Sequence, residues 1–277
     1  MPFFERILEL PHWIISLLIF LILLASREAG VWVQRRTTKW RASPVAAREF
    51  SHEDFVLSSV LLLLALLIAF TFGMALDRYD TRHGTLLAET NAIGTAYQSV
   101  QLLDEAPRAH LSALLTDYAR LRLRYGQANA RDKVALQHES TAQQRVISAS
   151  AIEAIRPIRT TDFGGAAMQS INTLRETGAA RHEWHSARLP RPILAVLLLY
   201  TFISAAVVGY VHPDVGARDR VAAALMFALL TLALSTIIDL DDSQRGTIRI
   251  SQEPMRELVA SMEQLAVAPP RPTSPGS

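Results

Sequence analysis

The 277-residue chain contains no cysteine. Disulfides, thiolate nucleophiles and cysteine-held iron–sulfur clusters are therefore excluded, and thiol usage says nothing about the redox compartment. Lysine is almost as scarce: Lys39 and Lys133 stand alone, and the other 26 basic residues are arginine. A G+C-rich genome is a simpler account of that imbalance than selection for arginine chemistry. Net charge is only +2, with basic residues interspersed among acids, which argues against a nucleic-acid surface. Strand signals and internal repeats are lacking. There is no H-E-x-x-H, no G-K-[ST] after Gly164-Gly165, and no Ser-His-Asp arrangement. No metal, cofactor or catalytic residue is therefore expected, and the chain does not read as an enzyme. His182 and His185 can share a helical face, but a closed zinc site needs further ligands.

What the chain does have is apolar length. Half of its residues are hydrophobic, and they are gathered into four blocks at 10–33, 55–76, 193–211 and 221–238. Each is long enough as a helix to cross a bilayer. The first carries Trp13 at an interfacial position, and its Arg27 is expected to reach the interface by snorkelling. An acidic n-region without an A-x-A site does not read as a signal peptide. The last two blocks are joined by HPDVGARDR, short enough to force an antiparallel hairpin. The predicted fold is all-α: an integral membrane protein with four transmembrane helices and a helical extramembrane bundle inserted between spans 2 and 3. Its segments are 1–53, the first span and a basic juxtamembrane loop; 54–103, the second span continuing as a long helix; and 104–190, the helical insert. There follow 191–240, the transmembrane hairpin; 241–264, a post-membrane segment; and 265–277, a Pro/Ser-rich tail with disordered composition.

The second block organises the rest. Residues 55–103 contain no proline, so one helix is predicted to run through the membrane and past Glu89. Ala65, Ala69 and Gly73 recur every four residues, a small-residue stripe suited to close helix packing. Rotated about 60° from it lie Ile68, Phe72 and Leu76, a bulky apolar line that could gate a pore by dewetting. Arg78, Arg82 and Glu89 share a further face, and the two arginines are candidates for an anion-attracting mouth. Glu89 and Asn91 are expected to join a polar network within the bundle. Asp239 and Asp241 end the fourth span, where acids oppose the helix macrodipole. That misfit predicts a partner for them, such as Arg78 or a cation.

In the insert, Asp104 is a candidate N-cap for a helix carrying Leu111, Leu114, Leu115, Tyr118, Leu121 and Tyr125 at helical spacing. Ser140 is expected to cap a third helix that Pro157 ends, and Gly164-Gly165 to open a fourth.

Two motifs carry a family resemblance: AFTFGMALDRYDTR…ETNAIGTAY after the second block, and IIDLDDSQRGTIRISQEPM after the fourth. The pattern resembles the bacterial bestrophin-like domain family, itself distantly similar to the bestrophin anion channels. The resemblance implies four spans, a homo-oligomer (a pentamer if bestrophin-like) in the inner membrane, and chloride or other small anions as permeant species. It also implies that Ile68, Phe72 and Leu76 line the pore, and it places Asp239, Asp241 and Asp242 where bestrophins carry an acidic stretch. The proline of the bestrophin pore helix is absent from 55–76.

Arginine and lysine are nearly balanced between the two sides of a four-span topology. The basic 27–53 loop favours the insert outside, and the resemblance implies the reverse, which leaves its side open. The other function class is a non-conducting membrane protein whose helical domain senses a signal or binds a partner.

Overall fold

The computed structural model describes residues 11–38, 46–186, 189–212, 216–241, 248 and 250–267. Among them the secondary structure is helical, without strands. In chain order the helices are α1 (His12–Thr38), α2 (Ala46–Val100), α3 (Glu105–Gln127), α4 (Ala130–Ile155), α5 (Asp162–Ser186), α6 (Arg191–Val211), α7 (Ala217–Asp241) and α8 (Glu253–Val267). Two compact units divide the chain. The first holds residues 1–79 and 188–248, and the second residues 80–187 and 249–277. Parts of the basic loop (Lys39 to Arg41 among them), Asp242, the side chain of His185 and most of the Pro/Ser tail lie outside the described residues.

The first unit contains four helices long and apolar enough to cross a membrane. Ile15, Ile19 and Leu23 of α1 form a core with Leu57 and Ala75 of α2, Leu197 and Ala205 of α6, and Phe227, Leu234 and Ile237 of α7. Its closest approach is made by glycine. A Cβ at Gly209 of α6 would stand 2.0 Å from the Arg27 carbonyl oxygen, and one at Gly30 of α1 would stand 1.9 Å from that of Ala206. Only hydrogen at these two positions lets α1 and α6 touch backbone to backbone. Among the described residues its polar links include a 2.7 Å hydrogen bond between the Ser16 and Ser235 hydroxyls and one that Tyr200 Oη donates to the Val60 carbonyl at 3.3 Å.

Arg27 differs from expectation. It is buried at 7% exposure, with Nη1 donating to Glu28 Oε1 at 2.7 Å. The reason lies in the same contact, since the α1–α6 approach at Gly209 draws the Arg27 backbone inward.

In the second unit the later part of α2 packs with α3, α4, α5 and α8. The core comprises Leu86, Ile93 and Tyr97; Leu111, Leu115 and Tyr118; Ile147 and Ala151; Ile171 and Leu174; and Met255, Val259 and Met262. Asp104 occupies the N-cap of α3, but its side chain makes no capping hydrogen bond. Asn129 holds the N-cap position of α4. Ser140 therefore does not start that helix; it is buried mid-helix, its hydroxyl donating to the Leu136 carbonyl at 2.7 Å. Such back-bonding satisfies a serine inside a helix as readily as capping does at its start. Pro157 follows the end of α4 within a 3₁₀ turn, Arg156–Ile158. The Thr161 hydroxyl accepts the Gly164 amide at 3.1 Å as α5 begins, and a Cβ on Gly164 would collide with the Ile158 carbonyl.

Candidate functional site

Helix α2 is unbroken from Ala46 to Val100, so its register alone fixes which side chains share a face. At about 100° per residue, Leu57, Leu64, Thr71, Ala75, Arg82, Leu86, Glu89 and Ile93 fall within one narrow sector, and all of them are buried. That is the face α2 gives to its own chain. Arg82 belongs to it, at 4% exposure, and Arg78 is half-buried on its flank.

The opposite face is uncovered. Ala65, Ala69 and Gly73 are exposed, and a Cβ on Gly73 would meet nothing within 4 Å. The small stripe is thus not spent on packing within the chain. Phe72 and Leu76 are 39% and 40% exposed, whereas Ile68 is half-buried against the core of the first unit. The line turns because four-residue steps advance by about 40°. Ile68 marks the edge of the packed face, and Leu76 lies well out on the free one. Arg78 and Arg82 sit about 160° and 120° around the helix from Leu76. They do not share the Phe72–Leu76 line. The charged residues exposed just beyond Leu76 are Asp77 and Asp80.

Glu89 does belong to a buried network, one whose partners the sequence reading missed. The carboxylate is 0% exposed. Its Oε1 accepts from Arg122 Nε at 2.6 Å and from the Tyr118 hydroxyl at 3.4 Å; its Oε2 accepts from Arg181 Nη1 at 2.5 Å. Around this centre Arg122 Nη1 donates to Gln137, Gln144 Nε2 to the Tyr118 hydroxyl, and Arg181 Nη2 to Gln252. The Arg122 guanidinium also lies 4.4 Å from the centroid of the Tyr125 ring, a cation–π contact in a desolvated setting. Gly126 and Gly178 make room for these side chains: a Cβ at either would meet network atoms within 3 Å. Burial, and then the Glu89 charge, push the Tyr118 phenol up and keep it protonated. Burial pulls Arg181 down. For Arg122 the same burial is outweighed by Glu89, and its pKa rises. Asn91, two residues on, is exposed and lies outside this network; two residues turn the helix by about 200°.

At the end of α7, Asp241 Oδ1 accepts the Leu189 amide at 2.7 Å and Asp239 Oδ2 accepts the Ile248 amide at 3.1 Å. His12 Nδ1 lies 3.7 Å from Asp239 Oδ1. Backbone amides and an imidazole are thus among the partners of these two acids, and they offset the unfavourable helix end. His182 Nδ1 is hydrogen-bonded to the Tyr125 hydroxyl at 3.2 Å.

A bestrophin-like domain model matches residues 19–255. The chain belongs to the bestrophin-like family. Solved structures agree in fold with this bestrophin-like protein. The bacterial bestrophin homologue from Klebsiella pneumoniae matches with a TM-score of 0.65 at 11% identity, over 92% of this chain and 98% of that one. A single-residue variant of the Klebsiella homologue gives 0.63 at 10% identity, over 90% and 97%. A further crystal structure, described as a membrane protein, gives 0.65 at 10% identity, over 91% and 100%. No curated protein sequence matches the chain.

Proposed function

We propose that this bestrophin-like protein is a multi-pass protein of the bacterial inner membrane that assembles as a homo-oligomer and conducts ions along an axis lined by α2. One observation carries the reading: in a bestrophin fold, the uninterrupted α2 leaves an apolar face uncovered along Phe72 and Leu76. Neighbouring copies pack through Ala65, Ala69 and Gly73, where no side chain keeps backbones apart. Phe72 and Leu76, with Ile68 at their edge, then form a narrow apolar ring that resists wetting and gates the path. A pentamer is the assembly that the bestrophin likeness implies, and small anions such as chloride are the permeant class it implies.

The second unit lies outside the bilayer in this reading, because it presents charged side chains on every helix and draws its stability from an apolar core. Lipid surrounds the four apolar helices. No residue is assigned a catalytic role.

Two measurements on purified protein test the proposal. It should behave as a pentamer in mild detergent, and it should dissipate an ion gradient across liposomes. A monomer or dimer that passes no ions would instead leave a membrane protein whose helical unit binds a partner or senses a signal.

A further inference from the structure

We infer that the second unit binds a small organic anion, a carboxylate or phosphate on a short apolar body, in a cavity over α3. The inference goes beyond the channel reading and does not rest on it. The cavity measures about 430 Å³, within the roughly 300–1,000 Å³ of small-molecule sites. All of its lining residues belong to this one unit.

The sequence of α3 explains the hollow. Ala109, Ser112 and Ala113 set three short side chains together on one helical face, at spacings of three and four residues. Longer side chains rise around them: Gln101 from just past α2, Arg108 and Arg120 from α3 itself, and Leu265 from α8. A short floor between long walls is concave.

Two hydrogen-bond donors in the cavity are uncommitted. Asp104 and Glu105 stand one turn before Arg108, at spacings from which a carboxylate can reach an arginine. Arg108 pairs with neither, and among the described residues its side chain has no partner. Half-buried, it lines the cavity instead. Ser112, one turn further along α3, accepts a hydrogen bond from Gln101 Nε2 at 2.9 Å, which leaves its own hydroxyl hydrogen to donate. Arg120, by contrast, is occupied, 2.9 Å from Asp117 and 2.8 Å from Glu263. A free guanidinium and a free hydroxyl hydrogen one turn apart make a seat for an oxyanion, because arginine holds carboxylate and phosphate through paired N–H donors. Ala109, Ala113 and Leu265 then meet the apolar body. Leu265 is 62% exposed, so covering it adds a favourable burial term.

The test is thermal unfolding of the full-length protein in detergent with three probes that share one apolar body: n-butyrate, n-butyl phosphate and n-butylamine. At several times its Kd, one or both anions should raise the wild-type melting temperature saturably, by about 2–4 °C. Butylamine should not. Which anion acts separates carboxylate from phosphate. Arg108→Gln should abolish the shift, and Ser112→Ala should weaken apparent affinity severalfold, both with a probe-free melting temperature near that of wild type. Ala113→Leu, which fills the floor, should abolish the shift as well. If Arg108→Gln does not fold, Arg108→Lys, which keeps the charge and loses the paired donors, should retain a weakened shift, and Ala113→Leu still decides. No saturable shift with either anion, an equal shift with butylamine, or a shift that survives Arg108→Gln or Ala113→Leu overturns the inference. None of these outcomes touches the channel reading, which stands or falls on conduction.

Discussion

On the membrane reading proposed above, the two units of this protein solve the same packing problem in different solvents. In the first, apolar side chains gain little by leaving lipid for one another, so close backbone approach has to hold the helices. Gly30 and Gly209 provide it, helped by a few hydroxyl contacts such as Ser16 with Ser235. In the second, burial of residues such as Leu115, Tyr118 and Ile147 supplies the drive, at about 25 cal/mol per Å² of apolar surface removed from water. There the specific element is ionic: one carboxylate pins α3 and α5 to α2 through two buried arginines. A membrane-type core is thus specified by what is missing from a glycine, and an aqueous-type core by one charged residue present.

The largest effect should come from breaking that pin. Glu89→Ala leaves Arg122 and Arg181 buried without their counter-ion, and loss of one partner of a buried pair costs about 3–5 kcal/mol. Thermal unfolding monitored by circular dichroism should show the second unit melting far earlier, and Glu89→Gln should be intermediate.

Next comes the glycine contact. Gly209→Ala puts a methyl group where the Arg27 carbonyl stands, and forced separation of packed helices costs roughly 1–3 kcal/mol. Gly73→Leu is its counterpart on open surface. It should leave the thermal stability of the dissociated protomer unchanged and shift only the oligomeric state, as read by light scattering in detergent. Equal losses of protomer stability in both variants would erase the distinction between inner and outer faces.

A smaller change is expected from Tyr118→Phe, which removes one hydroxyl shared between Glu89 and Gln144. A buried hydrogen bond contributes about 1 kcal/mol. The smallest should come from Arg120→Ala, whose partners Asp117 and Glu263 are exposed like itself; solvent screens such pairs, and urea denaturation should barely separate it from wild type.

How much of this could be read beforehand follows the range of each interaction along the chain. The long α2 was legible because it depends on local facts, a charge-free run of 22 residues and no proline through position 103. The helical stripe Leu111, Leu115, Tyr118, Tyr125 was legible for the same reason. The partners of Glu89 were not, because Arg122 and Arg181 lie 33 and 92 residues away. Nor was the choice among small-residue stripes. Ser26 with Gly30 and Ala205 with Gly209 have the same four-residue spacing as Ala69 with Gly73, and one sequence does not say which pair meets another helix. Ser140 misled because a serine favours caps by propensity, yet it back-bonds when tertiary packing carries the helix past it. The placement of the two arginines is different. Their register opposite Leu76 follows from the helical step alone, and a count of angles places Arg82 on the Glu89 face without any structure.

The central claim is that the free face of α2, not its packed face, meets the permeating ion. The absence of cysteine from the chain makes the direct measurement simple, because any introduced thiol is the only one. Current through Leu76→Cys protein in planar bilayers should change sharply on adding a charged methanethiosulfonate reagent, while Ala75→Cys, one residue away on the fully buried face, should be unaffected. Modification that alters current at Ala75→Cys but not at Leu76→Cys would contradict the account.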